Sequence, residues 1–167
     1  VANVGTFEID SAHPGSAIFR PLSTFVGQGP SVTYTVTDSL GNSSSNTYTP
    51  KVIAPPIVTP DTTTGAWNTA QSIDVVANNA GTSDTVDSGT SWKPSSITIS
   101  CGTAPSCTTT TGAGNAVTSV TMTGQGTYTV DVVTEIVTFT PVATFAGTAR
   151  PVTYVVTDMI GNTATTT

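Results

Sequence analysis

The 167 residues carry a formal net charge of −6, and the only basic side chains, Arg20, Lys51, Lys93 and Arg150, are spread along the chain. This excludes the concentrated cationic face by which proteins hold a nucleic-acid backbone or an anionic membrane surface, and no apolar run approaches the ~20 residues of a bilayer span. Charged residues make up 8% of the sequence, against about 25% in ordinary soluble domains, with Thr, Ser and Asn at the polar positions, a composition that points outside the cell.

In chain order, the first 50 residues read as strands with one apolar face, Phe7, Phe19, Val32, Tyr34 and Val36 among them, alternating with polar neighbours at the period of a pleated strand. The run at Val32, Tyr34 and Val36 closes on "TDSLGN", where the Asp38 carboxylate is placed to bond backbone N–H groups two residues on and Gly41, beside Asn42, supplies the positive φ of a tight hairpin loop. "TPKVIAPPIVTP", residues 49 to 60, carries Pro50, Pro55, Pro56 and Pro60, which withhold ladder donors and favour extended geometry. It reads as a semi-rigid joint.

Beyond the joint, Asp74, Asn78, Asn79, Asp84 and Asp87 crowd into "SIDVVANNAGTSDTVD" and are the candidates for calcium, since hard cations need several oxygen ligands. The same residue types build turns by bonding to their own backbone, and no metal or other cofactor is expected. Trp67 and Trp92 would form a sugar-stacking platform if exposed side by side; the ordinary alternative is that they cap a core or pack on an adjacent unit. Cys101 and Cys107, in the turn-like "CGTAPSC", are expected to form a disulfide that tunes a surface loop; free thiols are the alternative, and zinc a weaker one, since it needs further ligands and His13 is the only histidine. Ile97 and Ile99, then Tyr128, Val130 and Val132, Val137 and Phe139, and Val152, Tyr154 and Val156 each fall on one strand face. The last run closes on "TDMIGN", in which Asp158, Gly161 and Asn162 repeat the earlier turn.

That closing phrase discloses the organisation. "SVTYTVTDSLGNS" at 31–43 and "PVTYVVTDMIGNT" at 151–163 agree at 8 of 13 positions, and the offset of 120 that joins Tyr34 to Tyr154 also joins Phe19 to Phe139. Gly5 and Gly126 correspond at an offset of 121. A repeat of about 120 residues suits a whole small domain in tandem. Short connections and alternating strands predict an all-β fold, an antiparallel immunoglobulin-like β-sandwich. Residues 1–51 are then the C-terminal half of one repeat, 52–60 a Pro-rich linker and first strand, and 57–167 a complete repeat, within a chain expected to be a segment of a longer protein. Catalysis is not expected. An acyl-transfer site needs a nucleophile, a base and an orienting group, whereas the only histidine, His13, has no counterpart in the second copy.

With the repeat placed, "GQGTYTVD…EIVTFTPVATFAGTARPVTYVVTDMIGNTA" at 124–164 and its earlier copy resemble the repeat of the CshA type, found in long fibrillar adhesins of bacterial surfaces. "TAQSIDVVANNAGTSD" at 69–84 is also similar to the opening strand of bacterial immunoglobulin-like and cadherin-like repeats, with Asn79 standing where such repeats often carry Asp. The resemblance covers nearly the whole chain. It implies an extracellular stalk module at a bacterial surface, spacing an adhesive region from the cell, whose partners are adjacent repeats of the same chain and neighbouring chains in a fibre. The alternative is an extracellular ligand- or glycan-binding β-sandwich module using Trp67, Trp92 or the insertion at 101–115.

Overall fold

The computed structural model describes residues 1–13, 15–77, 84–112 and 116–167. They form two compact units, Val1–Ala54 and Pro55–Thr167, so the boundary falls inside the proline-rich joint. Both units are built from antiparallel strands, with no helix among the described residues. Val, Ile, Thr and Tyr dominate the strands because branched and aromatic side chains suit a pleated, half-buried surface.

Unit 2 is a β-sandwich. One sheet has five strands in the order β7 (Gln71–Asp74), β12 (Ile136–Pro141), β11 (Gly126–Asp131), β10 (Val117–Met122) and β9 (Cys107–Thr111). The other has three, in the order β14 (Thr163–Thr166), β13 (Thr153–Thr157) and β8 (Thr98–Ser100). Strict alternation sends Val120, Met122, Val130 and Val137 inward from the first sheet and Ile99, Tyr154 and Val156 inward from the second, where they join Val75, Val76, Ile97 and Val152 in one core. Each of the larger side chains, once removed from water, contributes about 1.5–3 kcal/mol.

Unit 1 contains three strand pairs: β1 (Gly5–Ile9) with β2 (Ala17–Pro21), β4 (Val32–Thr37) with β5 (Ser43–Tyr48), and the two-residue strands β3 (Gly27–Gln28) with β6 (Lys51–Val52). Its first hairpin reproduces the β11–β12 hairpin in register: Gly5 lies opposite Pro21 and Phe7 opposite Phe19, as Gly126 lies opposite Pro141 and Tyr128 opposite Phe139. The glycines are required there. A Cβ on Gly126 would run into the Thr140 carbonyl oxygen and the Phe139 ring, and one on Gly5 would meet the Arg20 carbonyl oxygen and Phe19.

Burial separates the units. Tyr154 is 2% exposed and Val156 1%, whereas their counterparts Tyr34 and Val36 are 40% and 58% exposed. In unit 2 that face packs into one core with Val75, Val76, Ile97, Ile99, Val120 and Met122. All but Met122 come from the part of unit 2 that precedes the stretch the two units share.

Candidate functional site

The repeated turns are built alike. The Asp158 Oδ1 accepts the N–H groups of Ile160 (3.1 Å) and Asn162 (2.8 Å), Asn162 Nδ2 donates to Oδ2 (2.9 Å), and Gly161 adopts φ 97°. Asp38 holds Leu40 (2.9 Å) and Asn42 (2.8 Å) in the same way, with Asn42 Nδ2 on Oδ2 at 2.9 Å and Gly41 at φ 87°. The Asn42 side chain and backbone N–H bonds hold the Asp38 carboxyl below the usual carboxylate range. Asp158 differs in being completely buried, and the Trp92 backbone is bridged to it.

Inside unit 2 the Tyr154 hydroxyl lies 2.7 Å from Asp61 Oδ2 and 3.3 Å from Asp84 Oδ2, with the carbonyl oxygens of Thr59 and Val75 also at 3.3 Å. Burial, then the Asp61 and Asp84 carboxylates, push this phenol well above the usual tyrosine range, so it stays a neutral donor. Asp84 is itself buried and accepts the Thr59 N–H at 2.9 Å. This network ties the entering strand, the 84–85 segment and β13 together. No pattern in the sequence marks Asp61 as part of it.

Of the calcium candidates, Asp74 Oδ1 accepts the N–H groups of Val76 (3.0 Å) and Ala77 (2.8 Å), Asp87 Oδ1 accepts that of Gly89 (3.0 Å), and Asp84 faces Tyr154. Asn78 and Asn79 lie outside the described residues. Among the described residues no three His, Cys, Asp or Glu side chains converge as a metal site. His13 sits in an exposed turn with Nδ1 2.8 Å from Asp10 Oδ2, and that bond holds the Asp10 carboxyl below its usual range.

Cys101 and Cys107 are disulfide-bonded, with their Cα atoms 6.0 Å apart. The first follows β8 and the second opens β9, so the bridge links the edge strands of the two sheets. Both cysteines pack partly buried against the core.

A groove of about 670 Å³ opens at the end of unit 2 where β7, β11 and β13 begin and β12 and β14 end. Tyr128, Phe139 and Phe145 line it, as does the Pro60–Asn68 segment, in which Trp67 is 70% exposed. Trp92 is not part of it: its backbone bridges to Asp158 and its side chain packs partly buried against the core. The two tryptophans therefore do not share one surface feature.

No curated protein and no solved structure matches the chain. Residues 1–52 and 55–167, two matches that meet at the proline-rich joint, fit the family described as the surface adhesin CshA repetitive domain. Together with the all-β sandwich, the repeated aromatic hairpin and the duplicated Asp-x-x-Gly-Asn turn, this establishes that the chain belongs to the CshA repeat family of surface adhesins.

Proposed function

We propose that this chain is a structural stalk repeat of a bacterial surface fibre or fibrillar adhesin, which acts extracellularly by spacing an adhesive region from the cell rather than by catalysis. Unit 2 is read as one complete repeat of an immunoglobulin-like sandwich, and unit 1 as the second half of another, 1–51, joined through 52–60. The observation that carries this reading is the duplication of one hairpin-and-turn framework with the same register and the same turn geometry, which favours an array of equal elements. Supporting it, the surface is polar but almost uncharged. Its adjacent partners would be repeats of the same kind, in the chain or in a neighbouring fibre strand.

Pulling on the whole chain by its ends in a single-molecule force experiment tests the role. A spacer should resist and then release unit 2 in one discrete step. The contour gain should be roughly 350 Å, at about 3.5 Å for each released residue and less the loop closed by the disulfide. Smooth extension without a force step would contradict a load-bearing role.

A further inference from the structure

Strand β9 is the outermost of the five-stranded sheet, and among the described residues no strand lies on its other side. It consists of Cys107 and the threonines Thr108–Thr111, all four of them exposed. Thr109 lies opposite the fully buried Val120, so it stands on the core face of the sheet and is open to water even there. Natural sheet edges are blunted by charge, proline, brevity or a covering segment. In unit 2, β7 carries Asp74 and has Gly65 so near Gln71 that a Cβ would collide with its side chain. The strand β8 is three residues long, and beside β14 the Asp61 N–H donates to the Thr167 carbonyl at 2.9 Å. Apart from a register shift in β10 opposite its last residue, β9 carries none of these devices.

The ladder fixes which way the main chain of β9 points. The Thr123 N–H donates to the Ser106 carbonyl at 3.2 Å, and in the same register Thr121 lies opposite Thr108 and Ser119 opposite Thr110. Hydrogen-bonded pairs alternate along an antiparallel ladder. Ser106, Thr108 and Thr110 therefore turn their N–H and C=O groups to β10, while Cys107, Thr109 and Thr111 turn theirs outward. A second antiparallel strand of the same sequence matches this edge in a register centred on Thr109. Thr109 then faces Thr109, Thr108 faces Thr110 and Cys107 faces Thr111, so every residue of the strand has a partner of the same orientation. Charge also favours a like partner at this place. From Pro94 to Val130 no residue is charged, the longest such run in a chain of net charge −6, so two copies repel one another less here than elsewhere. Arg150 bonds to this run at the Pro105 carbonyl (3.1 Å), and not on β9.

We propose that β9 is a lateral pairing edge whose occupant is β9 of a second copy of this chain, joined antiparallel about a two-fold axis at Thr109, so that two five-stranded sheets become one continuous sheet. The outward N–H and C=O groups of Cys107, Thr109 and Thr111 bond to those of the partner strand. Thr108 and Thr110 meet across the axis as hydroxyl pairs. The chain already makes this contact within itself, between Thr121 and Thr127 at 3.0 Å and between Ser72 and Thr138 at 2.8 Å. One short strand on each side gives a small interface, so the association is weak between free copies and takes effect where copies are held side by side. In that setting the inference rests on the stalk reading. The pairing itself follows from the strand.

The test follows amide exchange and sedimentation of the whole chain as its concentration is raised. With a Kd of about 100 μM, the amides of Thr109 and Thr111 should exchange roughly fourfold more slowly at about 1 mM than at about 20 μM. Those of Thr108 and Thr110, already bonded to β10, should change little. Thr109→Lys sets like charges against each other on the axis and should leave the chain monomeric, with its melting temperature unchanged because the side chain is exposed. Thr109→Glu should do the same, and an equimolar mixture of the two variants should associate again, since opposite charges then meet. If either variant melts lower, the alternating exchange pattern of the unaltered chain decides alone. Exchange at Thr109 and Thr111 that does not depend on concentration would overturn the proposal. So would association that survives Thr109→Lys, which would place the contact on another surface, or a mixture that stays monomeric, which would refute the register. A monomer leaves the stalk reading standing, whereas smooth extension under force overturns the stalk and leaves the pairing.

Discussion

At the scale of single residues, Tyr34 and Tyr154 show one side chain in one local strand meeting two fates. The phenol of Tyr154 is buried and donates into the Asp61 and Asp84 carboxylates, while Tyr34 stands 40% exposed. Tyr154→Phe should destabilise unit 2 by about 1–3 kcal/mol, because a charge-assisted hydrogen bond is lost and a buried carboxylate is left short of a donor. Tyr34→Phe should have no measurable effect. Thermal melts of both variants decide the matter. The same site predicts alkaline sensitivity. The folded-state pKa of Tyr154 is raised, so the folded state keeps a proton that the unfolded chain loses near pH 10. Stability is intact below about pH 10 and falls as pH rises beyond it. Tyr128, also raised by burial, adds to the fall, so Tyr154→Phe should make the decline of melting temperature with pH shallower without abolishing it.

At the scale of elements, the hairpins were legible in the sequence and their assembly was not. Alternation at Val137 and Phe139 or Val152, Tyr154 and Val156, and the turn chemistry of Asp158, Gly161 and Asn162, are local signals, and the strands and turns stand where those signals put them. Which strands share a sheet depends on packing between segments distant in sequence. The pairing of β8 with β13, across more than fifty residues, leaves no local mark. The Asp61–Tyr154–Asp84 network was hidden for the same reason: its members become neighbours only when the sandwich closes. The groove was not legible either, since the residues that line it, Trp67, Tyr128 and Phe145 among them, come from segments far apart in the sequence. Two element-level outcomes follow. Gly126→Ala should cost about 3 kcal/mol or more, since its Cβ meets backbone of the partner strand rather than a movable side chain, and chemical denaturation would show it. Reduction of the Cys101–Cys107 bridge should lower the melting temperature of unit 2 by roughly 5–10 °C, about 2 kcal/mol for so short a loop, without unfolding it at room temperature.

At the scale of the whole molecule, two copies of one framework differ in how far they are buried. The β13 face of unit 2 shares one core with Val75, Ile97, Ile99 and Val120, while in unit 1 Gly5, Gly29 and Pro50 are the buried residues among those described. The strand pairs of unit 1 have little apolar burial to offset the entropy of ordering them. Hydrogen exchange on the intact chain, read residue by residue, measures this most directly because each amide in 126–157 has an internal control 120 or 121 positions earlier. β11, β12 and β13 should exchange through one cooperative opening, with protection roughly a thousandfold or more above that of β1, β2 and β4. Equal protection in matched strands would contradict it, showing that the first copy is stable as it stands and that residues 1–51 are not half of a larger sandwich.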